Sequence, residues 1–194
     1  MGHSRAQKAE NRERILAEAA RQVREGGLES VNVARLMQSV GLTHGGFYGH
    51  FANRSDLVAQ SLERALVDGE ATAHTANTAG RPRRFGEIVR AYLSRTHRDA
   101  RATGCAIAAL VSEVGRADEA SRAVMEPHIE AMVALAAEAL GDEDEARAMA
   151  AVSAMVGTVA IARVIRDPGR SNAFLHNVRE QLLALEPREP PPSR

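Results

Sequence analysis

A chain of 194 residues, 44% hydrophobic and formally neutral, has the size and apolar content of one soluble globular domain or two small ones. With aromatics at 3% and no Trp, the core has to be assembled from Ala, Leu, Val, Ile and Met, which favours close-packed helices over a sheet. A single Cys excludes an intramolecular disulfide, no stretch approaches the roughly 18 apolar residues of a membrane span, and the charged run from Met1 to Glu13 is no secretory signal, so a cytoplasmic protein is expected.

Residues 1–9 read as a disordered basic arm. A helix then runs to about Glu25 with Ile15, Leu16, Ala19, Ala20 and Val23 on one face, and Gly26-Gly27 stops it. Asn32 is the expected N-cap of a short second helix, with Ser30 as the alternative; Val33, Leu36, Met37 and Val40 form its inner face and Gly41 supplies the left-handed residue that ends it. Residues 1–64 carry a net charge of +2 and the remainder −2, a weak asymmetry that permits an anionic partner for the front half.

The stretch from Gly41 to Phe51 (Gly-Leu-Thr-His-Gly-Gly-Phe-Tyr-Gly-His-Phe) is the most informative in the chain. Each interior glycine costs a helix about 1 kcal/mol relative to Ala, so three beyond the first are too many for ordinary helix filler. A helix, a tight glycine turn and a second short helix form a helix-turn-helix, whose second helix faces the DNA major groove. Thr43 can cap that helix, Phe47 and Phe51 are spaced to pack inward, and Gly45, Gly46 and Gly49 would let backbone approach phosphate or base edges closely. Tyr48 and His50 offer polar tips.

Asn53-Arg-Ser-Asp56 resembles a capping box that opens a long helix to about Thr72, with Leu57, Val58, Ser61, Leu62, Ala65 and Leu66 on its inner face. Gly80 and Pro82 mark a joint within 73–84. Beyond it, Phe85, Ile88, Val89, Tyr92, Leu93 and Thr96 make one stripe, Cys105–Val114 a shorter helix ended by Gly115, and Asp118–Leu140 a longer one ended by Gly141. Pro127 either kinks that longer helix or begins a new one. The acidic run 142–145 suits the start of a helix to Arg166, Asp167-Pro168-Gly169 stops it, and Ser171 is the expected cap of a last helix closed by Pro187, with a proline-rich disordered tail after it. The small-residue stripe Ala150, Ser153, Ala154, Gly157, Ala160 and Ile161 lets helices approach closely, and the last two helices (about 143–166 and 171–186) are expected to pair in a two-fold dimer, partly on the family resemblance given below, with internal packing alone as the alternative.

From about Arg14 to Leu66 the sequence resembles the TetR family of bacterial transcriptional regulators, through Gly27, Gly41-Leu42-Thr43, Phe47-Tyr48, His50-Phe51, Arg54 and Asp56-Leu57. Arg54 stands where Lys is usual, Asn32 where Thr or Ser caps, and Met37 where a small Ala is usual. The resemblance implies an all-α fold of about nine helices. It divides the chain into an N-terminal three-helix helix-turn-helix bundle with its arm (1–52) and a C-terminal connecting helix plus ligand-binding and dimerisation domain (53–194). The implied function is a repressor that binds a near-palindromic operator as a homodimer and is released by a small-molecule effector; a helical binding protein that kept the fold without operator recognition is the alternative.

Matching positions imply that Thr43, His44, Gly45 and Gly46 face the groove, and that Tyr48, His50 and Arg54 contact or orient phosphates. Asn32 and Gly49 complete the expected DNA-binding set. Cys105, beside Gly104 at a helix start where the dipole favours thiolate, is either a reactive sensor, as in TetR-like electrophile-sensing repressors, or a small buried hydrophobe. Tyr92, His97, Met125, His128, Met132 and Met155 are further ligand candidates, with a place in the core or on the surface as the alternative for each. No second ligand at helical spacing accompanies either His97 or His128, so no metal site is expected; no nucleophile elbow occurs, so neither enzyme activity nor a cofactor is expected.

Overall fold

The computed structural model describes residues 5–75, 83–141 and 145–186, and every regular element among them is helical. In chain order the α-helices are α1 (Arg5–Gly26), α2 (Val33–Ser39), α3 (Arg54–Thr75), α4 (Phe85–Tyr92), α5 (Arg95–Asp99), α6 (Ala106–Val114), α7 (Glu119–Leu140), α8 (Ala146–Val164) and α9 (Pro168–Leu183). Two 3₁₀ turns, Leu28–Ser30 and His44–Gly49, flank α2. The chain forms two compact units, one of residues 1–74 and 101–128, the other of 75–100 and 129–194.

In the first unit α1 begins at Arg5, so residues 5–9 of the expected arm are helical. Nothing between Arg5 and Glu25 breaks a helix, and Gln7 reaches Glu10 and Asn11 one turn on, which outweighs the local excess of charge. Its inner face buries Ile15, Leu16, Ala19, Ala20 and Val23, as the spacing predicts. The expected face of α3 is buried as well, from Leu57 to Leu66. Asn53 Oδ1 accepts from Asp56 N at 2.9 Å, while the Asp56 carboxylate reaches past Asn53 to Ala52 N at 3.0 Å. That bond, the largest influence on it, holds the Asp56 carboxyl below its ordinary pKa.

Glycine ends α2 through a Schellman motif. Gly41, at φ +71°, donates to Gln38 O, and Leu42 N donates to Met37 O at 2.8 Å. Arg14 on α1 adds a guanidinium bond to Val40 O, so the last carbonyls of α2 are capped from a second helix.

The second unit corrects several expected boundaries. The stripe from Phe85 breaks at Leu93, because Ser94 caps a new short helix by accepting from His97 N at 3.1 Å; the register turns, and Thr96 is exposed. α8 ends at Val164, short of Arg166. Asp167-Pro168-Gly169 starts α9 rather than merely stopping α8: Asp167 accepts from Arg170 N at 2.6 Å and Pro168 occupies the first turn, where its missing N–H costs nothing. Ser171 is therefore no cap but a buried bridge, donating to Ala162 O at 2.7 Å and accepting from Arg98 at 2.8 Å. α7 runs through Pro127, so the proline does not begin a helix. The joint residues 76–82, the acidic residues 142–144 and the tail from Pro187 lie outside the described residues.

α8 is long and apolar enough by composition to pass for a membrane span, contrary to the expectation that no segment approaches one. Its apolar residues serve packing: Ala148, Ala151, Val152, Met155, Val156, Val159 and Ala162 are buried, and it packs on α5 and α9. The opposite face leaves Met149, Ile161 and Val164 exposed, with Ala150 and Ser153 exposed beside them.

Candidate nucleic-acid interface

The segment expected to read DNA is helical, as its turn chemistry predicts, but it is a 3₁₀ helix rather than an α-helix. Three glycines in six residues lower helix propensity, and the segment is closed mainly by 3₁₀ bonds, with one α-type bond from Phe51 N to Phe47 O at 3.1 Å where it ends. Two aromatic anchors hold it in place. Phe47 and Phe51 are both 2% exposed and stack with ring centroids 5.6 Å apart, while Tyr48 meets Phe47 edge-on at 5.2 Å. Burying one such phenyl ring stabilises the unit by about 1.5–3 kcal/mol. The Arg12 guanidinium lies over the Phe51 ring at 5.3 Å and bonds to Gln60 on α3, so α1, α3 and the segment meet at one point.

With the anchors inward, the other residues of the segment face solvent. Thr43, His44, Gly45, Gly46, Tyr48 and Gly49 are all exposed, Tyr48 at 70%. Thr43 occupies the N-cap position but its side chain makes no capping bond; Gly46 N donates to Thr43 O instead. A Cβ built on Gly45 or Gly49 would meet no atom of the protein within 4 Å, and neither has a positive φ. Nothing in the fold requires glycine at either place.

His50 is half-buried beneath this face, and its Nδ1 is enclosed with no hydrogen-bond partner. Burial, then the nearby charges of Lys8 and Arg12, hold the imidazole below its ordinary pKa. Asn32 is the N-cap of α2, accepting from Arg35 N at 3.0 Å, so the cap expected first is the one used. Arg54 is engaged within the protein. Its Nε donates to Val31 O at 3.1 Å, and its Nη2 donates to the carbonyls of Leu28 and Glu29 and to the Glu29 carboxylate at 3.0 Å. Arg35 and Gln38, absent from the expected site, are exposed on α2 beside the segment. They were legible as the outward complement of Leu36 and Met37.

The ligand candidates divide between the two units. Cys105, Met125 and His128 belong to the first; Tyr92, His97, Met132 and Met155 belong to the second. Cys105 is half-buried at the N-cap position of α6. Met125 is 1% exposed, and His128 Nε2 pairs with the Glu63 carboxylate at 3.2 Å. In the second unit His97 Nδ1 lies 2.7 Å from Tyr92 O, with the two rings edge to face at 4.5 Å. Burial lowers the His97 pKa, opposed by that hydrogen bond and assisted by Arg163. Met155 is fully buried and Met132 half-buried. Among the described residues no group of three or more His, Cys, Asp or Glu side chains is placed to hold a metal ion.

Residues 15–60 match the model of a family described as bacterial regulatory proteins, tetR family. No curated protein sequence matches the chain. Solved structures match it over most of its length. NemR of E. coli in its reduced form is 19% identical, with a TM-score of 0.76 over 93% of this chain and 98% of that one. A TetR-family transcriptional regulator from Cytophaga hutchinsonii is 17% identical, with a TM-score of 0.71 over 97% and 100% of the two chains. One from Agrobacterium tumefaciens is 21% identical, with a TM-score of 0.70 over 90% and 98%. At these identities the likeness establishes the all-α fold.

Proposed function

We propose that this chain, which belongs to the TetR family of bacterial regulatory proteins through its residues 15–60, is a ligand-responsive repressor: a DNA-binding regulator that holds a near-palindromic operator as a homodimer and releases it when a small-molecule effector binds. The observation that carries this reading is the outer face of the 43–49 segment. Aromatic anchors fix it from below, its outward residues are exposed, and the glycines at 45 and 49 leave room that no part of the protein fills. Such bare backbone suits close approach to a groove.

In this reading residues 1–52 act as the DNA-binding domain and 53–194 as connecting helix and ligand-binding and dimerisation domain. Thr43, His44, Gly45 and Gly46 face base edges, while Tyr48, Gly49 and His50 meet phosphates, with Asn32 and the exposed Arg35 at the flank. Arg54 contributes by holding the turn before α2, given where its guanidinium is spent. Few side chains reach bases, so specificity leans on backbone contact and DNA shape. The exposed small-residue face of α8, with Met149, Ile161 and Val164, is the surface by which two copies pair with α9. Pairing sets the two reading segments about 34–36 Å apart or a multiple of it, and an effector that binds the state with a different spacing more tightly releases DNA. Cys105, half-buried at the start of α6 in the first unit, is where that effector acts, in a cytoplasmic protein without cofactor or catalytic role.

A gel-shift series on duplexes upstream of the protein's own coding sequence, with and without a thiol-reactive electrophile, tests the reading. A shifted band that weakens steeply with salt is expected, and electrophile should release it. Absence of any sequence-preferring complex would overturn it.

A further inference from the structure

The turn joining α1 to α2 is held by a side chain from a distant helix. Leu28 N–H donates to the Glu113 carboxylate on α6 at 2.8 Å, across 85 residues of sequence. Gly27 keeps the space for that carboxylate: its φ is +86°, and a Cβ there would lie 2.4 Å from Glu113 Oε1 and 2.7 Å from Oε2. Arg54, at the first position of α3, binds the Leu28, Glu29 and Val31 carbonyls of the same turn. One turn earlier on α1, the buried Arg24 donates from Nε to Ala102 O at 2.5 Å, just ahead of α6, and from Nη1 to Ala65 O on α3 at 3.1 Å. α6 is therefore tied to the end of α1 both before its first residue and at its penultimate one.

We propose that Glu113 is a positioning residue for DNA binding. By holding Leu28 N–H it sets the direction in which α2, with the 43–49 segment packed on it, leaves α1. A displacement of α6, whose N-cap is Cys105, then reaches the DNA-reading face through this turn as well as through α3. The inference rests on the reading of 43–49 as the DNA-reading segment. A carboxylate bond to a backbone N–H is about twice as strong as a neutral one, so the tie resists casual loss. It neutralises no phosphate, so it should affect selective binding and leave the sequence-independent attraction alone. Two reading segments must match two half-sites together, which makes selective binding sensitive to a small change of direction.

The test uses a duplex selected from a random-sequence library by the wild-type full chain, and a scrambled duplex. Glu113→Ala is expected to weaken the selected duplex about tenfold while the scrambled duplex and the salt slope stay unchanged, and to speed hydrogen exchange at Leu28 N–H. Glu113→Gln keeps an oxygen in place to accept the bond, and should restore binding to within about threefold. If Glu113→Ala does not fold, Glu113→Asp withdraws the carboxylate by one methylene and serves in the same measurements. Wild-type affinity for the selected duplex in the variant overturns the inference and leaves the DNA-binding reading standing, and an equal loss on both duplexes overturns it too. If the wild-type protein selects no duplex, the DNA-binding reading itself falls first.

Discussion

Two glycine turns lie within twenty-five residues of one another and obey opposite physics. At Gly27 the backbone is left-handed and the space where a side chain would go is filled by the Glu113 carboxylate, so the fold demands glycine twice over. At Gly45 and Gly49 the backbone is ordinary and the space is empty, so the fold demands nothing. A glycine required by its own protein speaks to stability. A glycine that its own protein does not use, set on a face that aromatic anchors hold rigid, speaks to a partner that comes close.

Substitutions at the two turns test the contrast. The largest effect is expected at the anchor of the 43–49 segment: Phe47→Ala should cost about 3–5 kcal/mol in urea unfolding, since the ring is fully enclosed. Gly27→Ala should cost about 2–3 kcal/mol. In a Glu113→Ala background the collision disappears, and the cost should shrink to the strain of a positive φ with extended ψ alone, a backbone region open essentially only to glycine. If the two costs were equal, the carboxylate would have no part in the requirement for glycine. Asn32→Ala removes one cap bond and should cost about 1 kcal/mol.

His50 offers a smaller, pH-dependent effect. Its folded pKa lies below the ordinary value near 6.5, so above that pH the ring is neutral in both states and stability is complete. As pH falls below it, the unfolded chain takes up the proton first and stability declines until the folded pKa is passed. Bound DNA should raise the His50 pKa, which NMR titration of the imidazole with and without duplex would show; an unchanged value would remove His50 from the phosphate set.

The parts of this fold that were legible in the sequence are those set by local rules. Gly41, Asn32 and Asn53 punctuate helices through bonds to residues within five positions, and all three act as their types predict. The inner faces of α1 and α3 followed from helical spacing, as did Leu36, Met37 and Val40 of α2, while Val33 at its first turn is only half-buried. Legibility failed where one local signal had two meanings. Asp167-Pro168-Gly169 ends one helix and begins the next, and Ser94 interrupts an apolar stripe that spacing alone reads as continuous. It failed again where the partner is remote: no pattern around Arg54 announces that its guanidinium turns inward to the carbonyls of 28–31, and none around Leu28 announces Glu113. The outward set from Thr43 to Gly49 was readable because Phe47 and Phe51 fix which side faces in.

The most direct test of the central claim, that the 43–49 face is shaped for DNA and not for the protein, is one titration on two variants. Gly45→Ala and Gly49→Ala should each leave unfolding free energy within about 0.5 kcal/mol of wild type, because the added methyl meets no protein atom. Binding of the selected duplex, followed by fluorescence anisotropy at fixed salt, should weaken about tenfold or more in at least one of them, as the methyl intrudes between backbone and groove. Unchanged stability with unchanged affinity in both would contradict the account.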